Sequence, residues 1–210
     1  GAYGGASENG TCATLHTMAV NGYGTASPDT RLELNFYTGR VEVDGKYVTL
    51  DDGTPLQYMP LAVEQNLTAS KYIETAGARM KKYEVDRTAY SDGRLPDNDI
   101  VLYRYADVLL MKAEAKVRNG ESGDEQLNAV RSRVGMPSLA ATLANILDER
   151  LLELVWEGWR RQDMIRFGTY CAPYDIHTPS AADKKGYTIV FPIPEKAREL
   201  NPNLAQNPGY

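Results

Sequence analysis

Residues 98–120 read NDIVLYRYADVLLMKAEAKVRNG and carry a regular apolar pattern. Apolar side chains recur there every three or four positions, which is the spacing of one face of an α-helix. Asn119 and Gly120 then supply a helix stop. We therefore predict a helix with one buried face, formed by Leu102, Ala106, Leu109, Leu110, Ala113 and Val117.

A second, shorter helix is predicted directly after a short loop. Leu127, Val130 and Val134 share one face, and Gly135 ends the pattern. Asp124 is a candidate N-cap. Two helices joined by a short loop form an α-hairpin, and small residues allow neighbouring helices to approach closely. Such residues on the first helix favour stacked hairpins of the tetratricopeptide type; they are Ala106, Ala113 and Ala115.

The longest helix is predicted from about Thr142 to Phe167 and is rich in charge. Glutamates at i, i+4 and i+8 repel one another unless cations lie beside them. Arginines are close in the sequence, so we predict a structural ion-pair network. Its members are Glu149, Arg150, Glu153, Glu157, Arg160, Arg161, Asp163 and Arg166, with Arg104, Arg131 and Arg133 as further candidates.

The same carboxylates could form the acid–base pair of a glycoside hydrolase. A general acid needs a raised pKa, whereas a neighbouring arginine lowers the pKa of a carboxyl group. The sequence also lacks a Gly-rich phosphate loop and the GxSxG, HExxH and EF-hand patterns. We therefore predict no catalytic residue and no enzymatic activity, and hydrolysis stays the less favoured alternative.

Metal and cofactor sites have no support in the sequence. His16 and His177 lack neighbours at ligand spacing. Cys12 and Cys171 are far apart and form no CxxC pair, so two free thiols are favoured over one long-range disulfide. We predict no metal and no cofactor.

Charge and hydropathy exclude other classes of protein. The 210 residues include 23 Lys and Arg against 28 Asp and Glu, giving a net charge of −5 and no dense basic stretch. Binding to nucleic acid is therefore disfavoured. No apolar stretch approaches the roughly 20 residues that cross a bilayer, and the first residues do not resemble an export signal.

The first part of the chain is rich in glycine and tyrosine. It predicts an irregular layer of loops and short strands, with a tight hairpin turn at Asp44 and Gly45. A tyrosine offers a flat apolar ring and a hydroxyl to one ligand, which suits sugar binding. For any single ring, packing at a loop–core boundary is the simpler interpretation. The candidate ligand-binding residues are Tyr23, Phe36, Tyr37, Tyr47 and Tyr58.

The last 40 residues are punctuated by prolines. We predict a short strand from Tyr187 to Phe191 and a helical turn opened by Pro194 and reaching Leu200. The repeated Asn-Pro steps favour extended or turn geometry. We expect this tail to wrap the helical body.

Four ordered segments resemble the C-terminal region of the SusD/RagB family. They are the helix at 98–120, LNAVRSRVGMP at 127–137, ILDERLLELVWEGWRRQDMIRFG at 146–168 and YTIVFPIPEKARELNPNLAQNPGY at 187–210. A weaker match is SPDTRLELNFYTG at 27–39, which resembles the family's D-x-R-L segment.

The resemblance implies a mainly α fold of tetratricopeptide-like stacked α-hairpins with an irregular, loop-rich region of short strands. Residues 1–70 would form the ligand face, and residues 71–210 the helical scaffold and tail. It further implies a non-enzymatic, surface-exposed outer-membrane lipoprotein of Bacteroidetes-type bacteria. Such a protein captures oligosaccharide or another nutrient for a SusC-like TonB-dependent transporter.

Family members are longer, so we expect this chain to be a C-terminal part of such a protein. No binding residue carries over by motif, because the family's ligand residues lie in variable loops. A tetratricopeptide-type interaction scaffold without its own small ligand remains the main alternative.

Overall fold

A computed structural model describes residues 11–64, 66–84, 86 and 98–210. The chain forms two compact units, Gly1–Trp159 and Arg160–Tyr210. Most of the regular structure is helical, as the sequence predicts. In the part of the chain described, no helix combines the length and the apolar character that crossing a bilayer requires.

The first unit contains five helices among its described residues. They are α1 (Leu15–Val20), α2 (Arg31–Asn35), α3 (Tyr105–Arg118), α4 (Asp124–Arg133) and α5 (Leu143–Leu154). Helix α3 packs against both α4 and α5, so the predicted α-hairpin is confirmed and a third helix lies on it. The buried side chains Leu110, Leu127 and Ile146 come one from each of these helices.

Local sequence signals place several helix ends correctly. The predicted stop after α3 is confirmed, since Asn119 is its C-cap and Gly120 has a positive φ of 77°. Thr142 caps α5, because its hydroxyl accepts a hydrogen bond of 3.1 Å from the backbone N–H of Asn145. Three details differ. Helix α3 begins only at Tyr105, so Leu102, predicted on its buried face, precedes the helix and is exposed. Gly123 rather than Asp124 is the N-cap of α4.

The prediction of one continuous helix to Phe167 is wrong. Helix α5 ends at Leu154, and Trp156 then adopts a left-handed φ of 69°. This turn lays the indole against Phe36, with ring centroids 5.8 Å apart, and lets its N–H donate to the carbonyl of Asn35 at 3.0 Å. A contact with a distant part of the chain therefore replaces the helical conformation.

The short strands form three antiparallel two-stranded sheets. Strand β1 (Phe36–Tyr37) pairs with β6 (Arg79–Met80), β2 (Gly39–Arg40) with β5 (Gln57–Tyr58), and β3 (Glu42–Val43) with β4 (Lys46–Tyr47). The predicted tight turn between β3 and β4 is confirmed. Both of its central residues have positive φ, 52° at Asp44 and 74° at Gly45, as a two-residue hairpin loop requires.

A small apolar cluster connects this strand layer to the helices. Trp156, Leu32 and Tyr23 pack against it from the side. The cluster therefore draws on α1, β1 and the end of α5, and it fixes where the strand layer lies within the first unit. Its buried members are Ala13, Met18, Phe36, Ala78 and Val155.

The second unit contains α6 (Arg160–Arg166), α7 (Ala181–Lys184), a 3₁₀ helix (Tyr187–Ile189) and α8 (Glu195–Leu200). The helix after Pro194 confirms the prediction. The predicted strand at Tyr187 is wrong, since Asp183 accepts a hydrogen bond from the Thr188 hydroxyl at 2.5 Å and holds that segment in a helical turn. The expected wrapping of the tail stays a prediction.

Candidate functional site

Three buried carboxylates lie at the end of α5. Glu149 and Glu153 occupy successive turns of that helix, and Glu157 follows in the turn formed by Trp156. The side chains of these glutamates are only 1–2% exposed. Burying a carboxylate is costly unless cations or hydrogen-bond donors accompany it.

Glu149 lies between two arginines. Arg31 of α2 donates to one carboxylate oxygen at 2.7 Å, and Arg131 of α4 donates to the other at 2.7 Å. Arg31 also holds Asp29, to which its Nε and Nη2 donate at 2.9 and 2.7 Å. This chain of charges links the segment before the strand layer to the helices.

Glu153 accepts hydrogen bonds from three guanidinium groups. Arg31 donates at 3.0 Å, Arg104 at 2.5 Å and Arg133 at 2.7 Å. Glu157 forms a bidentate pair with the Nε and Nη2 of Arg104 and is also bonded by the ammonium of Lys82. We call these paired groups the α5 ion-pair network: Asp29, Arg31, Lys82, Arg104, Arg131, Arg133, Glu149, Glu153 and Glu157.

The cations of the network determine the protonation of Glu153 and Glu157. Burial alone would raise the pKa of Glu153, but hydrogen bonding to Arg104 and the charges of Arg104, Arg133 and Arg31 outweigh it and lower that pKa. The pKa of Glu157 is lowered in the same way, burial being outweighed by Arg104 and Lys82. Both groups are therefore held ionised, which is opposite to what a general acid requires.

The other residues of the predicted network lie elsewhere. Arg150 pairs with the buried Asp107 of α3 at 2.7 Å. In the second unit, Arg166 pairs with Asp163 at 2.7 Å.

Arg160 and Arg161 begin α6 in that unit. Arg161 donates to the carbonyls of Thr188 and Ile189, at 3.1 and 3.3 Å, and its guanidinium covers the ring of Phe191.

Sequence reasoning missed Asp29, Arg31, Lys82 and Asp107. Their partners are distant in the chain, so no i, i+4 pattern marks them. A signal for Asp29 and Arg31 did exist, because both belong to the segment resembling the family's D-x-R-L pattern. For Lys82 and Asp107 the sequence offers no comparable sign.

The candidate ligand-binding rings lie at different depths. Phe36 is 2% exposed and packs in the apolar cluster, so its ring is not available to a ligand. Tyr23 is partly buried against the same cluster. Tyr37 and Tyr58, on β1 and β5, are partly exposed, and Tyr47 on β4 is 56% exposed.

Cations accompany the three exposed rings. The guanidinium of Arg40 lies 5.2 Å from the ring centre of Tyr47, and that of Arg79 lies 5.3 Å from the ring centre of Tyr58. The ammonium of Lys81 lies 5.7 Å from the ring centre of Tyr37. Each distance is within the range of a cation–π interaction. Within the ranges that the structure describes, no group of three or more His, Cys, Asp and Glu could hold a metal ion.

Comparison with known proteins identifies the family to which this architecture is similar. A family model described as the SusD family matches residues 19–176. The starch-binding protein SusD of Bacteroides thetaiotaomicron is 30% identical over 139 residues, which is 63% of this chain and 25% of that protein. SusD-like protein P38 of Formosa agariphila is 30% identical over 132 residues, or 55% of this chain and 25% of its own.

Solved structures agree on the fold. NanU of B. fragilis superposes with a TM-score of 0.59 at 25% identity, over 94% of this chain and 39% of its own. Surface glycan-binding protein A of Bacteroides uniformis superposes with a TM-score of 0.56 at 23% identity, over 87% of this chain and 38% of its own. The chain spans about a quarter of the length of its curated relatives. Since the family model covers most of the sequence, this chain belongs to the SusD family.

Proposed function

We propose that this protein is a non-catalytic glycan-binding component of an outer-membrane nutrient-uptake system. In this proposal it is a surface-exposed lipoprotein that passes oligosaccharide to a SusC-like TonB-dependent transporter. Membership of the SusD family supports the proposal, as do relatives named as starch-binding and surface glycan-binding proteins.

The observation that carries the proposal is the set of exposed tyrosine rings in the strand layer. Tyr37, Tyr47 and Tyr58 lie on separate short strands, and each of these residues is at least partly exposed. An aromatic ring can pack on the apolar face of a sugar while its hydroxyl bonds the sugar's own hydroxyl groups. The α5 ion-pair network joins α2, directly before β1, and Lys82, two residues after β6, to the end of α5. The strand pair that carries Tyr37 is therefore held in place before a ligand arrives.

A non-catalytic role is supported by the state of the carboxylates. Glu153 and Glu157 are ionised by their cation partners, and the same guanidinium groups occupy the oxygens that a substrate would need to approach. A glycosidase in this region would predict reducing-sugar release that Glu153→Gln abolishes. We expect no release by the unaltered protein at any pH.

Isothermal titration of the protein in its natural full length against a panel of neutral and acidic oligosaccharides tests the proposal. We expect binding that Tyr37→Ala and Tyr58→Ala each weaken about tenfold, the order of one lost aromatic contact. Tyr105→Ala is the matched control, because Tyr105 is an exposed tyrosine on α3 and not on one of the strands. Absence of heat with every glycan would remove the proposal.

A second candidate is an interaction scaffold, and one observation favours it. Large apolar side chains are exposed before and along α3, including Ile100 at 86%, Leu102 at 71% and Val108 at 46%. Such a surface can contact another protein. Copurification with a TonB-dependent transporter, together with no glycan binding, would favour this candidate over the first.

A further inference from the structure

Two cations and two tyrosines come together where β1, β5 and β6 meet. Tyr37 and Arg79 face each other across the β1–β6 pair. The guanidinium of Arg79 extends to the ring of Tyr58, and the ammonium of Lys81 lies over the ring of Tyr37. We call Tyr37, Tyr58, Arg79 and Lys81 the basic tyrosine cluster.

Arg79 has unused hydrogen-bonding capacity. Its side chain is 8% exposed, and its Nη1 donates to the carbonyl of Thr11 at 2.9 Å. Its Nε and Nη2 are buried and have no hydrogen-bond partner, and no described carboxylate forms a salt bridge with it. The ring of Tyr58 offsets only part of the cost of burying this charge.

The unused edge of Arg79 is the one that binds carboxylates elsewhere in this protein. Arg31 uses its Nε and Nη2 to hold Asp29, and Arg104 uses the same two nitrogens to hold Glu157. Two parallel N–H groups on one edge of a guanidinium match the two oxygens of a carboxylate. Arg79 therefore has the donor geometry of a carboxylate site without the carboxylate.

The neighbouring positions leave room for a ligand and supply a second cation. Gly39 is the cross-strand partner of Tyr58, and a Cβ built on it would meet no atom within 4 Å. Lys81 is exposed, and its ammonium donates to the carbonyl of Glu33 at 2.9 Å, while no carboxylate among the described residues forms a salt bridge with it. A negatively charged group would thus meet Lys81 at the surface and Arg79 beneath it.

We propose that the basic tyrosine cluster binds the carboxylate of an acidic oligosaccharide, such as a chain of hexuronic acids. Arg79 holds the carboxylate through its Nε and Nη2, Lys81 supplies a second positive charge, and the rings of Tyr37 and Tyr58 contact the sugar. Because the two nitrogens of Arg79 are closed to solvent, binding includes a local side-chain movement. The inference rests on the proposed glycan binding and specifies its substrate class.

The decisive experiment compares acids with their own neutral esters. Oligogalacturonate and oligoglucuronate are titrated into the full-length protein, each beside its methyl ester and beside a neutral maltooligosaccharide. We expect the acid to bind at least about tenfold more tightly than its ester, and the difference to shrink with added salt. Equal affinity for acid and ester, or binding of the neutral sugar alone, would overturn the inference and leave the proposed function standing. No binding of any glycan would remove both.

Single substitutions test whether Arg79 and Lys81 are the residues that bind the carboxylate. Lys81→Met and Arg79→Met should each weaken binding of the acid about tenfold while leaving binding of the ester unchanged. Lys71→Met is the matched control, because Lys71 also lies over a tyrosine, Tyr72, but is not part of the cluster. Arg79 also holds the carbonyl of Thr11, so if Arg79→Met fails to fold, Lys81→Met decides. Unchanged affinity for the acid in Lys81→Met, or an equal loss in Lys71→Met, contradicts the assignment.

Discussion

Glu153 shows how a single residue can be buried with its charge retained. Its two oxygens accept hydrogen bonds from Arg31, Arg104 and Arg133, which come from three different parts of the chain. Three cations around one carboxylate compensate the loss of water, and the nearby Glu149 and Glu157 keep those cations from repelling one another. Through these ion pairs, Glu153 holds three separate parts of the chain together.

The first prediction concerns Glu153→Gln. The amide keeps the shape of the side chain but removes the negative charge, leaving the guanidinium groups around it under-compensated. Breaking one partner of a buried pair costs about 3–5 kcal/mol, and we expect that loss in the free energy of unfolding measured in urea. Glu121→Gln, at an exposed position, is the control and should change stability by less than about 0.5 kcal/mol. Equal stability of the two variants would contradict the structural role of Glu153.

The second prediction concerns the stability of the protein in acid solution. The pKa values of Glu153 and Glu157 lie below their ordinary value of 4.5 in the folded protein, so in mildly acid solution the unfolded chain binds more protons. Their contribution is fully present above the ordinary value and is lost as the pH falls through the lowered folded values. Urea unfolding between pH 7 and pH 3 should show this fall, and the double variant Glu153→Gln with Glu157→Gln should flatten it. An unchanged slope in the double variant would mean that other groups govern acid stability.

At the scale of elements, the pair α3 and α4 depends on one close contact. A Cβ built on Gly123, the N-cap of α4, would lie 2.7 Å from the carbonyl oxygen of Ala113 and 3.0 Å from its Cα. The backbone of Gly123 has an ordinary negative φ of −99°, so its conformation does not itself require glycine. The requirement is space, because a Cβ at this position would meet the backbone of Ala113.

The third prediction tests this contact through Gly123→Ala. The added methyl group must push α4 away from α3, and overpacking of this kind costs about 1–3 kcal/mol. Thermal unfolding followed by circular dichroism measures the loss, with the helical signal before unfolding unchanged. Glu121→Ala in the same loop is the matched control. A stabilised Gly123→Ala protein would show that the loop adjusts freely and that the close approach is not needed.

Across the whole molecule, the sequence predicts those helix ends and turns that are set by residues adjacent in the chain. The helix stop at Asn119 and Gly120, the helix start near Thr142 and the turn at Asp44 and Gly45 each depend on residues close together in the chain. The end of α5 does not, because the left-handed turn at Trp156 depends on Phe36, which is distant in the chain. The apolar pattern continues across that turn, so it predicts a helix that tertiary packing interrupts.

The candidate sites show the same difference between features set by nearby residues and features set by tertiary contacts. The spacing of Glu153 and Glu157 predicts that these carboxylates need cations, but the cations that bind them come from distant segments of the chain. Arg104 and Arg133 are predicted candidates, whereas nothing in the spacing predicts Arg31 or Lys82. Tyrosine content indicates a binding face, but it does not separate a buried ring from an exposed one. Charge partners and burial are properties of the folded chain, since both depend on contacts between segments that are distant in sequence.

The last prediction concerns Arg31, which joins the strand layer to the helices of the first unit. From α2, directly before β1, it reaches Glu149 and Glu153 of α5 while holding Asp29 beside it. Arg31→Met keeps an apolar stem and removes these bonds, so we expect α2 and β1 to open with a free energy lower by roughly 3 kcal/mol. Hydrogen exchange should show faster exchange in α2 and β1, while α3 and α4 keep their protection. Arg198→Met, an exposed position on α8, should leave this pattern unchanged. Equal acceleration throughout α3, α4 and α5 would instead mean that Arg31 supports the unit as one cooperative structure, and the assignment of Arg31 as a connection between layers would be wrong.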